Sequence, residues 1–286
     1  MAEPVTIFEV APRDGLQNER AIVDTAEKIR LVDLLTDCGF AKIEVTSFVS
    51  PKWVPQMADA SAVMSGIVRR PGVRYSALVP NFHGYEAAKA AGISEIAVFA
   101  SASEGFSEKN INCSIMESMA RYAMVLGAAH ADGIPARGYV SCAIACPYDG
   151  ATDPAVVLEV AGQLLEHGCY EVSLADTIGA GTPQTVDAML REVMTHFPPG
   201  KFAGHFHDTG GRALDNIAVC LDHGLRTFDA AVGGLGGCPF APGAPGNVST
   251  EAVVAMLESR GFSTGINRAK LKGAAAFATG LRAQAA

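Results

Sequence analysis

The sequence has little that would direct the chain to a membrane. Hydrophobic residues make up 49% of its 286 residues, but the longest apolar runs fall well short of the roughly 20 residues that cross a bilayer. The opening stretch carries Glu3 where a signal peptide carries positive charge, and it leaves no room for an apolar segment. We therefore expect a soluble, cytoplasmic protein.

Basic residues are also scarce. The chain has 22 lysines and arginines against 30 acidic residues, which gives a formal net charge of −8, and the basic residues are scattered. A nucleic acid or an anionic membrane would need a concentrated basic surface. Neither is therefore expected as a partner, and a small-molecule substrate is the better expectation.

Cysteines are too few and too scattered for a disulfide framework. Their odd number and wide spacing are typical of reduced thiols, most of them small buried side chains. The seven are Cys38, Cys113, Cys142, Cys146, Cys169, Cys220 and Cys238.

Short β-rich runs alternate with amphipathic stretches along the whole chain. Eight strands are predicted, at residues 5–10, 42–46, 74–79, 95–100, 137–141, 171–175, 202–206 and 227–232. Helices are predicted at 25–38, 82–91, 115–132, 154–167, 183–196 and 212–223, several of them followed by glycine. Eight such units without a linker favour an α/β fold of the TIM (β/α)8 barrel type. A doubly wound sheet is the alternative.

We expect one catalytic domain over residues 1–286. The barrel would occupy about residues 5–232, a glycine-rich loop 233–247, and a short C-terminal helical extension with its tail 248–286. The alanine-rich tail, residues 274–286, is expected to be partly frayed.

Polar residues follow the predicted strands, where the active sites of such barrels lie. After the first strand come Arg13 and Asp14, and the seventh strand ends in His205 and His207. The other residues of this kind are Glu44, Asp176, Cys238 and Asn247. Because barrel closure brings the first strand beside the eighth, residues distant in sequence can share one site.

The two histidines predict a metal site. At positions i and i+2 of a strand, His205 and His207 face the same side. With Asp14 and Asn247 they make a mixed nitrogen and oxygen set that favours Mg²⁺ or Mn²⁺ over a structural zinc. Two alternatives stay open: one core and one exposed histidine, and a surface turn in which Arg13 pairs with Asp14.

Six glycines and three prolines surround a single thiol, Cys238, in residues 233–247. Such a composition suits close backbone approach or a loop that closes over a site. A thiol there can exchange protons beside a metal and an arginine, although a buried structural cysteine is the alternative. For Glu44 and Asp176, an ion pair with a nearby basic residue is as good an interpretation as direct catalysis.

Seven segments together resemble the 3-hydroxy-3-methylglutaryl-CoA lyase family of metal-dependent TIM-barrel enzymes. The resemblance spans roughly residues 5–272, and its most specific part is the cysteine-containing loop motif. The segments are RDGLQNE at 13–19, IEVTSFVSPKWVPQM at 43–57, KNINCS at 109–114, RGYVSC at 137–142, DTIG at 176–179, GLGGCP at 234–239 and GN at 246–247.

The resemblance implies cleavage of 3-hydroxy-3-methylglutaryl-CoA to acetyl-CoA and acetoacetate, as in leucine degradation. It implies Asp14, His205, His207 and Asn247 as ligands of the divalent cation, and a homodimer as the assembly. The catalytic residues it implies are Arg13 for the enolate, Cys238 and His205 for proton transfer, Glu44 for orienting Arg13, and Asp176. Arg13, Gln17 and Asn110 are expected to bind substrate, and Asn110 with Lys109 is where contacts to the CoA nucleotide are expected.

Three positions depart from the family pattern, namely Ala11, Phe206 and Gly210. Phe206 should point away from the metal, whereas the missing side chain at Gly210 could widen the acyl pocket. A lyase for a longer 3-hydroxy-3-alkylglutaryl-CoA is therefore an alternative. An acetyl-CoA-condensing synthase of the same superfamily and a non-catalytic protein that binds CoA or metal are two others.

Overall fold

The eight predicted strands are present in the computed structural model, which describes residues 2–19, 21–236 and 246–284. They form a closed barrel in which each strand runs parallel to its sequence neighbours and β8 pairs with β1, Thr6 lying opposite Thr227. This closure excludes the doubly wound alternative, which would leave two free edges. The strands are β1 Thr6–Glu9, β2 Lys42–Ser47, β3 Arg74–Leu78, β4 Glu95–Ser101, β5 Ala136–Ser141, β6 Glu171–Asp176, β7 Phe202–Phe206 and β8 Thr227–Ala230.

Helices surround the barrel, and the six predicted ones are found within three residues of their expected ends. The described helices are α1 Thr25–Cys38, α2 Ala60–Gly66, α3 Phe82–Ala90, α4 Glu104–Ile111, α5 Ile115–Ala131, α6 Pro154–Glu166, α7 Pro183–Val193, α8 Ala213–Asp222, α9 Thr250–Ser259 and α10 Arg268–Gln284. Glycine ends α1 as predicted, since Gly39 adopts φ 98°, the left-handed conformation that stops a helix. The short helices α2 and α4 were not predicted, and a two-stranded hairpin, Ala145–Cys146 with Gly150–Ala151, follows β5.

The expectation of a frayed alanine-rich tail is wrong over the part that the structure describes. Residues 274–284 belong to α10, which packs against α1. Leu271, Ala274, Ala278 and Leu281 recur at helical spacing and are all buried. Alanine is the best helix former, so the composition taken as a sign of fraying favours a helix once one face is covered.

Alternation along the strands divides the interior into two environments. Ile43 and Val45 flank Glu44 on β2 and pack in the hydrophobic core. Glu44 itself is fully buried and hydrogen-bonds to Arg13 and Tyr139. Successive side chains of a strand point to opposite faces, so the apolar layer under the helices and the polar layer inside the barrel come from the same strands.

No described helix is both long and apolar enough to cross a membrane.

Candidate metal centre

A single π-helical turn, Ala11–Gly15, follows β1 and carries Arg13 and Asp14. The backbone N–H groups of Arg13, Asp14 and Gly15 all donate to the carbonyl of Val10, at 3.2, 2.8 and 3.2 Å. Such wide turns are rare in proteins, and those that occur often lie at functional sites. The turn brings two charged side chains to the mouth of the barrel, at the carboxyl end of its strands.

His205, His207 and Asp14 converge as predicted. His205 lies in β7 and His207 directly after it, and the centroids of their rings are 5.5 Å apart. One potential ligand atom from each of the two imidazoles and from the Asp14 carboxylate lies within 4.8 Å of the others. This arrangement removes the alternative in which one histidine is exposed. The Arg13–Asp14 pair of the surface-turn interpretation is present, but Arg13 is buried, so the turn does not lie at the surface.

Asn247 reaches the same place from the segment that follows the last strand. Its segment pairs with the end of β7, because Asp208 donates its N–H to Gly246 at 2.7 Å and Val248 donates to Phe206 at 3.1 Å. The Asn247 side-chain nitrogen then donates to an Asp14 carboxylate oxygen at 2.7 Å. All four predicted ligand residues therefore lie together.

Gly236 shows why this loop needs glycine. It has φ 103°, and a Cβ built there would lie 2.9 Å from the Asn247 side-chain nitrogen. A larger residue would be strained and would displace Asn247. Residues 237–245 of the glycine-rich loop, including Cys238, lie outside the described residues.

Arg13 is buried between two carboxylates. Its Nε donates to Glu44 Oε2 at 2.9 Å, and its Nη1 donates to Asp14 Oδ1 at 2.5 Å. The Tyr139 hydroxyl donates to the same Glu44 oxygen at 3.1 Å. Two anchors on one guanidinium leave it little freedom, so Arg13 is oriented before any substrate arrives.

Burial and neighbouring charges set the ionisation of the cluster. Burial raises the pKa of Asp14, but the Arg13 guanidinium and then the two imidazoles outweigh it, so the pKa falls below its usual range. Burial lowers the pKa of His207 to about 4, with a further contribution from His205. A deprotonated carboxylate and a neutral imidazole are the forms that bind metal ions.

The residues present fit a divalent cation. The set offers carboxylate oxygen and imidazole nitrogen, and amide oxygen if the Asn247 side chain turns over, which suits Mg²⁺ or Mn²⁺. In addition, Nδ1 of His207 is buried and has no hydrogen-bond partner among the described residues. A buried polar atom of this kind calls for a ligand.

Among the described residues, the side chains of Asp176, Gln17 and Asn110 make no hydrogen bond to the four proposed ligands, although Asp176 adjoins His205 and His207. The Asp176 carboxylate accepts hydrogen bonds from the N–H groups of Ala180 and Gly181, at 3.0 and 2.8 Å, so its oxygens are engaged by its own loop. Its pKa is raised because burial outweighs these donors. Gln17 is half-buried just after the π-helical turn, and Asn110 is exposed near the end of α4.

Sequence reasoning missed Asp229, which lies in β8 behind His205. Its Oδ2 accepts from His205 Nδ1 at 3.1 Å, and Arg137 donates to its Oδ1 at 2.7 Å. The available signal was a carboxylate in the middle of a predicted buried strand, since such a charge needs a partner.

The comparisons with known proteins lead to the same family that the sequence motifs resemble. The family model described as HMGL-like matches residues 4–277. The chain is 57% identical over 273 residues to "3-hydroxy-3-methylglutaryl-CoA lyase, cytoplasmic" of Danio rerio, covering 96% of this chain and 82% of that protein. Other relatives are named mitochondrial.

Two solved structures extend the similarity to the fold. The HMG-CoA lyase of Brucella melitensis is 62% identical with a TM-score of 0.98, covering 99% of this chain and all of that one. An HMG-CoA lyase of Acinetobacter baumannii, solved in complex with coenzyme A and 3-methylmalate, is 35% identical with a TM-score of 0.92 and covers 98% of this chain and 91% of that one.

Proposed function

The chain belongs to the HMGL-like family, and from that premise we propose that it cleaves 3-hydroxy-3-methylglutaryl-CoA to acetyl-CoA and acetoacetate. The observation that carries the proposal is the convergence of Asp14, His205 and His207 beside the buried guanidinium of Arg13. This reaction needs an acidified hydroxyl and a stabilised enolate, and the site offers groups for both.

Four residues would hold the divalent cation: Asp14, His205, His207 and Asn247. Mg²⁺ or Mn²⁺ is the proposed ion, and when bound it supplies Lewis acidity to the substrate oxygens. Asn247 would turn its amide so that the oxygen faces the ion, since its nitrogen now faces Asp14.

Arg13 would stabilise the leaving enolate. When the tertiary hydroxyl of the substrate loses its proton, that oxygen forms a carbonyl and the adjacent C–C bond breaks. The electron pair of that bond then moves into the thioester carbonyl of the departing acetyl-CoA enolate. A fixed cation placed where this charge develops lowers the barrier without having to reorganise, and Glu44 would keep Arg13 in position.

Two groups would move protons. His205, beside the proposed metal position, would take part in removing the hydroxyl proton, and Cys238 would deliver a proton to the enolate carbon to complete acetyl-CoA. For Asp176 a positioning role is better supported than direct proton transfer. Its carboxylate is engaged by Ala180 and Gly181, and its backbone carbonyl accepts from the His207 N–H at 3.4 Å.

The remaining predictions concern substrate contacts, assembly, cellular location and pathway. Gln17 would contact the acyl group from beside the π-helical turn, and the exposed Asn110 would contact the CoA moiety further out. We further propose that residues 1–286 act as one catalytic domain in a homodimer, in the cytoplasm and in leucine degradation. The cytoplasmic name of the Danio rerio relative supports the location, whereas the relatives named mitochondrial make it a point to test by fractionation.

A steady-state assay tests reaction, metal and pocket together. Acetoacetate release would be measured with 3-hydroxy-3-methylglutaryl-CoA and with longer 3-alkyl homologues, in Mg²⁺, in Mn²⁺ and after chelation. We expect metal-dependent cleavage with the 3-methyl substrate preferred. Preference for a longer homologue would indicate that the acyl pocket is wider near the exposed Gly210. If CoA is released only from acetyl-CoA with a 2-oxo acid, the protein is a synthase and the proposal is wrong.

A further inference from the structure

Asp229 is the most constrained carboxylate beside the proposed metal site. It is buried in β8, with 2% of its surface exposed. Arg137 clamps it through two nitrogens, at 2.7 and 3.2 Å, and the Ser173 hydroxyl donates to its Oδ2 at 2.8 Å. The same Oδ2 accepts from His205 Nδ1 at 3.1 Å.

The clamp is itself rigid. Arg137 is fully buried, and its Nε donates to Glu171 at 2.9 Å. Its guanidinium carbon lies 4.4 Å from the ring centroid of Phe8 and 4.9 Å from that of Tyr139. A planar cation packed between two rings and bonded at its edge has no alternative position, so the Asp229 carboxylate is held in one orientation.

We propose that Asp229 is a positioning residue that fixes the proton of His205 on Nδ1 and directs its Nε2 toward Asp14 and His207. A carboxylate accepts hydrogen bonds and does not donate them, so the bond of 3.1 Å requires a proton on Nδ1. In the neutral imidazole the lone pair is then on Nε2. This inference rests on the proposed metal-dependent function, because Nε2 is the nitrogen of His205 left to face the site, where it would bind the ion or take the substrate proton.

The second histidine lacks this support. Nδ1 of His207 has no hydrogen-bond partner among the described residues, whereas Nδ1 of His205 faces a clamped carboxylate. The two imidazoles are therefore unequal: a clamped carboxylate holds His205 at Nδ1, whereas Nδ1 of His207 is left for a ligand. Partners of this kind orient metal-binding histidines and increase their basicity.

Asp229→Asn tests the proposal by titration with Mn²⁺, followed by electron paramagnetic resonance of the free ion. Asparagine can turn its NH₂ group toward His205 and donate to Nδ1. His205 would then carry its proton on Nε2, where the proton blocks the ion. We expect the Mn²⁺ dissociation constant to rise by about 10- to 100-fold. Circular dichroism would show that the variant is folded.

Asp187→Asn is the matched control. Asp187 accepts from His223 at 2.8 Å and from Arg191 at 2.8 Å, so it has the same two kinds of partner outside the site. Its Mn²⁺ affinity should equal that of the wild type. If both variants bind Mn²⁺ as the wild type does, Asp229 has a purely structural role and the inference is wrong.

A measurement on the wild-type protein does not depend on any variant folding. Two-bond ¹H–¹⁵N correlation spectra of the metal-free protein at alkaline pH report which imidazole nitrogen carries the proton. His205, assigned by comparison with His205→Gln, should carry it on Nδ1, and a proton on Nε2 would overturn the inference. The proposed function fails separately, if the wild type shows the Nδ1 tautomer but neither binds Mn²⁺ nor cleaves the substrate.

Discussion

The side-chain nitrogen of Asn247 lies 2.7 Å from Oδ2 of Asp14, although the two residues are 233 positions apart. This hydrogen bond joins the turn after the first strand to the segment after the last. Closure of the barrel is what makes it possible, because β1 pairs with β8. The proposed metal ligands therefore meet at the seam where the barrel closes.

His207→Ala should weaken metal binding more than loss of a supporting residue does. We expect the Mn²⁺ dissociation constant to rise beyond the roughly 10- to 100-fold typical of supporting partners, because a direct ligand is removed. Equilibrium dialysis with Mn²⁺ measures this, with His130→Ala on the exposed end of α5 as the control. Unchanged affinity in His207→Ala would remove His207 from the ligand set.

Cys238→Ala should lower turnover while leaving metal binding intact. Loss of a proton-transfer group costs on the order of 10²- to 10⁴-fold in kcat. The comparison is Cys38→Ala, which removes a buried thiol at the end of α1 and should retain turnover. Wild-type kcat in Cys238→Ala would show that another group protonates the enolate.

Glu44→Ala should destabilise the fold as well as the site. The change leaves Arg13 buried with Asp14 as its remaining partner, and breaking a buried pair costs about 3–5 kcal/mol. Urea unfolding measures the loss. Glu258→Ala breaks an exposed pair with Arg268 and should cost within about 1 kcal/mol. Equal losses for the two variants would contradict the proposed anchoring of Arg13.

Glu9 should make stability fall as pH rises. Burial raises its pKa from an ordinary value of 4.5 to about 7, although it accepts hydrogen bonds from Thr250, Val232 and Ala11. Between these values the unfolded chain loses the proton before the folded one does. The contribution of Glu9 therefore becomes unfavourable through this window, by about 3 kcal/mol at most.

Glu9→Gln isolates that effect. Relative to the wild type, the variant should gain stability as the pH rises from 4.5 through about 7, as measured by urea unfolding at each pH. The exposed Glu86→Gln serves as the control and should follow the wild type. A constant difference between Glu9→Gln and the wild type at every pH would contradict the raised pKa.

Leu271→Ala tests whether α10 is an integral part of the fold. Leu271 is buried, and a cavity left by such a change costs about 2–5 kcal/mol. Its neighbour Lys272 is exposed, so Lys272→Ala should be close to neutral. Both are read from thermal unfolding, and a neutral Leu271→Ala would mean that the terminal helix does not contribute to stability.

Local patterns predicted the elements well where amphipathic period and turn residues agree. Helix α1 begins at Thr25 and ends at Cys38 as predicted, because Gly39 terminates an amphipathic stretch. The extent of helix α10 was underestimated. Its many alanines differ little in hydrophobicity from its other residues, so its buried face becomes evident only when α1 covers it.

The sequence by itself determined the alternation of strands and helices. It also determined that Asp14, His205, His207 and Asn247 lie at the ends of strands or in the segments that follow them, since both follow from local periodicity and from the order of residues. Only the tertiary structure decided which groups touch: Asn247 with Asp14, Glu44 with Arg13, and Asp229 with His205. The physical reason is that strand register and barrel closure set these distances. Both result from packing the whole barrel, and no local segment encodes them.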